Sequence, residues 1–104
     1  MTSDNMKMRA QLKGEVTEVK VIISHPMETG RKRDASDRFI PAHFVQLVTA
    51  TFNGKSVLEA EWGTGISKNP YLTFRLKGAK VGDVVVVTWH DNLGESASHE
   101  IAVA

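Results

Sequence analysis

Four histidines, His25, His43, His90 and His99, have the widest chemical reach in this chain, because imidazole ligates transition metals and moves protons near neutral pH. Their spacing assembles no metal site. No HxH or HxxxH pair occurs, His25 begins a loop, and His43 opens a strand. A hairpin pairing Asp91 with Glu95 sets Val87 opposite His99 and turns His90 to the other face of the sheet. We therefore expect hydrogen-bonded histidines, with no metal and no other cofactor. Ser67 has no neighbouring base and no GxSxG elbow surrounds it, so nucleophilic hydrolysis is not supported. Gly63-Thr64-Gly65 is not followed by the helix N-terminus that cradles phosphate and reads as a turn. Arg31-Lys32-Arg33 is soon balanced by acids and reads as a solvated loop face. With no cysteine, thiolate catalysis, disulfides, Cys-ligated zinc and iron-sulfur clusters are excluded within the chain.

The elements that must position these residues are strands. Residues 1–5 carry no apolar period and read as a flexible tail, leaving residues 6–104 as a single domain. Met6, Met8, Ala10 and Leu12 recur at period two, and after Lys13-Gly14 the stretch Glu15 to Ser24 is rich in Val and Ile. His25 to Arg38, with Pro26 and Gly30, is a long loop. Ala42 to Phe52 alternates again, and Asn53-Gly54 predicts a type I′ hairpin returning through Val57 to Trp62. Tyr71 to Leu76 follows a Gly- and Pro-bearing link. Val84 to His90 and Ser96 to Val103 then pair across Asp91 to Gly94, a type I turn with a Gly bulge.

No helix window emerges. About seven antiparallel strands with frequent turns predict an all-β, immunoglobulin-like Greek-key β-sandwich. Up-and-down strands place the loops His25 to Arg38, Gly63 to Pro70 and Asp91 to Gly94 together at one end, where sandwiches carry recognition loops.

The formal charge of +1 supplies no basic field for nonspecific nucleic-acid binding. The longest apolar run, Val84 to Val87, is far short of a membrane helix, and the start of the chain lacks a secretory h-region. These features predict a soluble chain with neither nucleic acid nor membrane as partner, and taken alone the missing signal predicts a cytoplasmic one.

Val84-Val85-Val86-Val87 breaks the alternation expected of a strand with one wet face. Val85, Val87 and Trp89 take the inner face, leaving Val84, Val86 and Thr88 outside. If Val48, Ala50 and Phe52 of the neighbouring strand point inward, then Val45, Leu47, Thr49 and Thr51 extend the outer patch. Such a patch predicts a protein interface.

Three segments carry a resemblance: His25-Pro26-Met27-Glu28-Thr29-Gly30, Ile40-Pro41-Ala42-His43-Phe44 and Ser67-Lys68-Asn69-Pro70-Tyr71-Leu72, with Trp89 ahead of Asp91-Asn92 and Gly94-Glu95. In order and spacing they closely resemble the SoxZ family, whose members belong to the SoxYZ carrier of bacterial thiosulfate oxidation. The resemblance implies a noncatalytic sandwich subunit that pairs as a heterodimer with SoxY, whose C-terminal Cys carries the sulfur intermediates. It implies transient visits to the complex by SoxAX, SoxB and SoxCD, and a periplasmic location reached by co-export with SoxY. His90 and Leu93 depart from the family's usual residues at the Asp91 to Gly94 turn.

The candidate SoxY interface is Val45, Leu47, Thr49, Val84, Val86 and Thr88, a patch through which the isolated chain would self-pair as a homodimer. The candidate recognition residues at the loop end are His25, Pro26, Met27, Glu28, Thr29 and Gly30, with Ser67, Lys68, Asn69, Pro70 and Tyr71. The alternative is a small sandwich that binds a metal ion or a sulfur oxyanion directly through the loops His25 to Arg33 and Ser67 to Asn69.

Overall fold

The structure, a computed structural model, describes residues 6–104; the expected tail at residues 1–5 lies outside the described residues. Seven antiparallel strands follow one another: β1 (Met6–Lys13), β2 (Val16–Ile23), β3 (Val45–Phe52), β4 (Lys55–Glu61), β5 (Tyr71–Lys77), β6 (Val84–Asp91) and β7 (Ser96–Ala102). They form a three-stranded sheet in the order β1-β2-β5 and a four-stranded sheet in the order β4-β3-β6-β7. This is the expected β-sandwich, and strand ends differ from the expected ones by a few residues at most.

Period two decides which side chains enter the core. Met6, Ala10, Val19, Val21, Ile23 and Leu76 from one sheet meet Val45, Val48, Ala50, Val85, Val87 and Trp89 from the other, all buried in one cluster. Burying each such Val or Leu contributes about 1.5 to 3 kcal/mol, which is the main source of stability for a chain without crosslinks. The β3–β4 turn has positive φ at both Asn53 and Gly54, 50° and 84°, as a type I′ hairpin requires. The Asn53 side chain also accepts the Val84 N–H at 2.9 Å and so fixes where β6 begins.

The register of β6 against β7 is the expected one, with Val85 opposite Ile101, Val87 opposite His99 and Trp89 opposite Ala97. His90 is exposed and faces away from His99. One side chain is misplaced by simple alternation. Val45 is fully buried in the core, not on the outer patch, because a bulge sets Val45 opposite Asp91 but Leu47 opposite His90. The additional residue, Gln46, reverses the facing of everything before it. Val45 is thereby removed from the candidate interface, while Leu47 and Thr49 keep their outward positions.

Candidate functional site

At the loop end of the sandwich, the side chain of Asp91 gathers residues that lie far apart in sequence. Asp91 closes β6 and begins the turn into β7. Its Oδ1 accepts the N–H groups of Leu93 at 3.0 Å and Glu95 at 2.8 Å, while Gly94 takes φ 84° to complete the expected bulged turn. Its Oδ2 accepts Nε2–H from His25 at 3.1 Å and from His43 at 2.7 Å. The carboxylate is entirely buried. Burial by itself disfavours its charge, but hydrogen bonds from His25, the Glu95 amide, His43 and the Leu93 amide outweigh that and hold its pKa at about 2.

His25 is fixed in one tautomer. Its Nδ1 accepts the Met27 N–H at 3.2 Å, so the proton of the neutral ring resides on Nε2, where Asp91 receives it. The ring packs edge-on to His43 with centroids 4.5 Å apart and to Trp89 at 5.2 Å. Its backbone is clasped by Asn69, whose Oδ1 accepts the His25 N–H and whose N–H donates to the His25 carbonyl. His43 is half-buried, and its Nε2 also lies 2.8 Å from the exposed Glu95 carboxylate. Backbone bonds of 2.7 and 2.9 Å join Glu28 and His43. Asn92 completes the knot, accepting the Phe44 N–H and donating to the Ala42 carbonyl, each at 2.8 Å.

Two imidazoles and a carboxylate offer donor atoms within 4.8 Å of one another, a set that transition metals accept. The surroundings do not fit one. A metal on Nε2 of His25 would place the ring proton on Nδ1, directly facing the Met27 N–H. Metal-bound histidines need an acceptor at that position, not a second donor. The Met27, Arg31, Leu93 and Glu95 amides are likewise engaged within the chain and are not free to receive an oxyanion beside Asp91. What the arrangement does chemically is tie β3, the β6–β7 turn and the loops on either side of the end into one unit.

The residues expected at the loop end divide accordingly. His25, Met27 and Pro70 are buried; the Met27 sulfur accepts the Val45 N–H at 3.3 Å, and the Pro70 carbonyl accepts from Ile23. Gly30 holds φ 84°, and a Cβ there would stand 3.3 Å from the Ala42 Cβ, so both the backbone conformation and the close approach favour glycine. Glu28 and Thr29 are half-buried, the Thr29 hydroxyl accepting the Arg31 N–H. Pro26, Ser67, Lys68, Asn69 and Tyr71 are exposed. Spacing along the chain did not reveal the convergence of His25 and His43 on Asp91. The signal lay in topology, since the three loops were already expected at one end.

The outer face of the four-stranded sheet contains the other candidates. Leu47, Thr49, Val84, Val86 and Thr88 are all half-buried there. Cross-strand rows run Leu47–His90–Ser96, Thr49–Thr88–Ser98 and Thr51–Val86–Glu100, and Thr88 and Ser98 share a 2.9 Å hydroxyl bond. Val84 and Val86 form an apolar island towards the Asn53–Gly54 turn. Leu47 forms a second one beside the clamp, and a threonine-serine row separates them.

The comparisons with known proteins agree with this architecture. The family model described as "Sulphur oxidation protein SoxZ" matches residues 6–102. Among solved structures, the chain is similar to a superoxide reductase (neelaredoxin) from Archaeoglobus fulgidus, with TM-score 0.62 and 20% identity over 95% of this chain and 85% of that one. It is also similar to a superoxide reductase (neelaredoxin) from Ignicoccus hospitalis, with TM-score 0.60 and 22% identity over 96% of this chain and 80% of that one. At such identity the likeness is one of fold alone. A search of curated proteins gave no match. The chain belongs to the SoxZ family of sulphur oxidation proteins.

Proposed function

We propose that this SoxZ-family chain is the noncatalytic subunit of a SoxYZ sulfur carrier and binds SoxY, whose cysteine bears the sulfur intermediates during thiosulfate oxidation. The observation that carries the reading is a family membership tied to sulfur oxidation in a chain that has no cysteine of its own. Thiol-linked sulfur then requires a second subunit. The clamp supports the same reading, because the Asp91 carboxylate and the His25 ring are committed to holding loops together.

SoxY is placed on the outer face of the four-stranded sheet, over Val84, Val86 and Thr88 with Leu47 and Thr49. Its apolar islands provide contact area and its threonine-serine row provides hydrogen bonds without buried charge. The exposed loop residues Pro26, Ser67, Lys68 and Tyr71 stand where the SoxY arm, or a visiting SoxAX, SoxB or SoxCD, would pass. Location follows from the partner: the complex is periplasmic, carried across the membrane by the signal of SoxY. Affinity capture of the tagged chain from its native cells, followed by mass spectrometry, tests the pairing. SoxY is the expected stoichiometric partner, and its absence from the capture would contradict the proposal. For location, fractionating cells that lack the SoxY signal should leave the chain in the cytoplasm.

A further inference from the structure

The two outer faces of the sandwich carry opposite charge. On the three-stranded sheet, alternation exposes Lys7, Arg9 and Lys13 from β1, Lys20 from β2, and Arg75 and Lys77 from β5. Glu18 is the one carboxylate among the strand residues of that face, and it is already engaged by Lys13 at 3.1 Å and Lys20 at 3.7 Å. The outer face of the four-stranded sheet carries Glu59, Glu61 and Glu100 and no lysine or arginine in its cross-strand rows. A formal charge of +1 therefore conceals a strongly polarised molecule.

Folding alone does not account for the basic face. Lysines on edge strands discourage edge-to-edge pairing, which would cover β1 and β5. Lys20, however, lies on the central strand β2, directly opposite Arg9, and like charges in directly opposed positions destabilise a sheet. Beside that pair, Lys7, Ile22 and Tyr71 form one cross-strand row. Ile22 is 44% and Tyr71 58% exposed, both large for apolar side chains. Together with Met8, Arg9 and Lys20 this row borders an open depression of about 290 Å³. The result is an apolar-lined hollow rimmed by cations.

We propose that the outer face of β1-β2-β5 is a docking surface for an acidic protein segment that seats one apolar side chain between Ile22 and Tyr71, with its carboxylates on Lys7, Arg9 and Lys20. The hollow is small and open to solvent, which suits a short-lived, electrostatically steered contact more than a permanent interface. It lies on the opposite sheet from the face assigned to SoxY, shares only Tyr71 with the loop-end residues, and does not depend on that assignment. A protein partner is favoured over nucleic acid because the opposite face is acidic, the recognising hollow is apolar, and among the described residues this sheet carries no helix to enter a groove.

The test uses the whole chain and four probes: a glutamate-rich peptide with a central leucine, the same peptide with alanine there, a short DNA duplex, and phosphatidylglycerol vesicles. The leucine peptide should bind best, losing roughly tenfold in affinity as salt rises to about 0.3 M. Arg9→Glu should abolish that binding while raising the melting temperature by a few degrees, because it converts a repulsive pair with Lys20 into an attractive one. Tyr71→Ala should remove the preference for leucine over alanine. A control, Lys55→Glu, makes the same change in net charge away from this face and should leave binding within about twofold. The proposal is overturned if the control weakens binding as much as Arg9→Glu. Tighter binding of the duplex or the vesicles, or no saturable peptide binding at low salt, would overturn it as well.

Discussion

Nε2 of His43 lies 2.7 Å from Oδ2 of Asp91, so the segment entering β3 is bonded to the last residue of β6 by a charge-assisted contact between a half-buried ring and a buried carboxylate. Because His25 uses the same oxygen and Leu93 and Glu95 use the other, one carboxylate organises the whole loop end. Asp91→Asn keeps an acceptor for the two amides but turns an NH₂ group towards two ring N–H donors. We expect a loss of about 2 kcal/mol, read as a lower urea midpoint with an unchanged slope. A loss below a few tenths of that would remove the clamp as a stabilising element.

The same carboxylate sets an acid limit. Its pKa falls from an ordinary 3.8 to about 2 in the folded chain. A lowered folded value contributes stability that is fully present above the unfolded pKa and is lost as pH falls through the folded one. The window is therefore from about pH 4 down to about pH 2, and the contribution lost there is about 2 kcal/mol. Urea titrations across that range should show the drop in the wild type and a shallower one in Asp91→Asn.

Gly30→Ala should cost about 1 to 2 kcal/mol, since alanine resists φ 84° and its Cβ would press on Ala42. Gly14→Ala is the informative comparison. That glycine also has positive φ, 66°, but its Cβ would meet nothing within 4 Å, so only the conformational share of the cost remains. Melting temperatures of the two variants should differ in that order.

If the clamp is held by protons, zinc or copper should show no saturable binding at micromolar concentration in calorimetry. Nitrogen-15 NMR should find the His25 ring proton on Nε2, with Nδ1 accepting. Saturable binding that shifts the His25 resonances would replace the clamp with a metal centre.

Much of this was legible in the chain itself. The β6–β7 register could be read from Asp91 to Gly94 because a bulged turn fixes pairing locally, and the Asn53-Gly54 hairpin could be read for the same reason. Val45 could not, because the bulge at Gln46 leaves no mark on an alternating pattern. His25, His43 and Asp91 were each visible as residues, but their meeting depends on three loops arriving at one end. Cross-chain geometry of that kind is set by sheet order and not by local spacing. The polarity between the two outer faces was hidden by a near-neutral total charge until the strands were placed.

The central claim is that the outer face of the four-stranded sheet binds SoxY, and Val86→Asp tests it most directly. Val86 lies between Thr51 and Glu100 in its row, so a new carboxylate there has no cation to pair with in the rows beside it and would be strongly disfavoured on burial. Co-expression with SoxY and copurification should show the pairing lost, while circular dichroism shows the fold retained and the melting temperature falls by only a few degrees, the cost of a carboxylate directly opposite Glu100. A folded Val86→Asp chain that copurifies normally with SoxY would contradict the account and move the interface to the loop end or to a sheet edge.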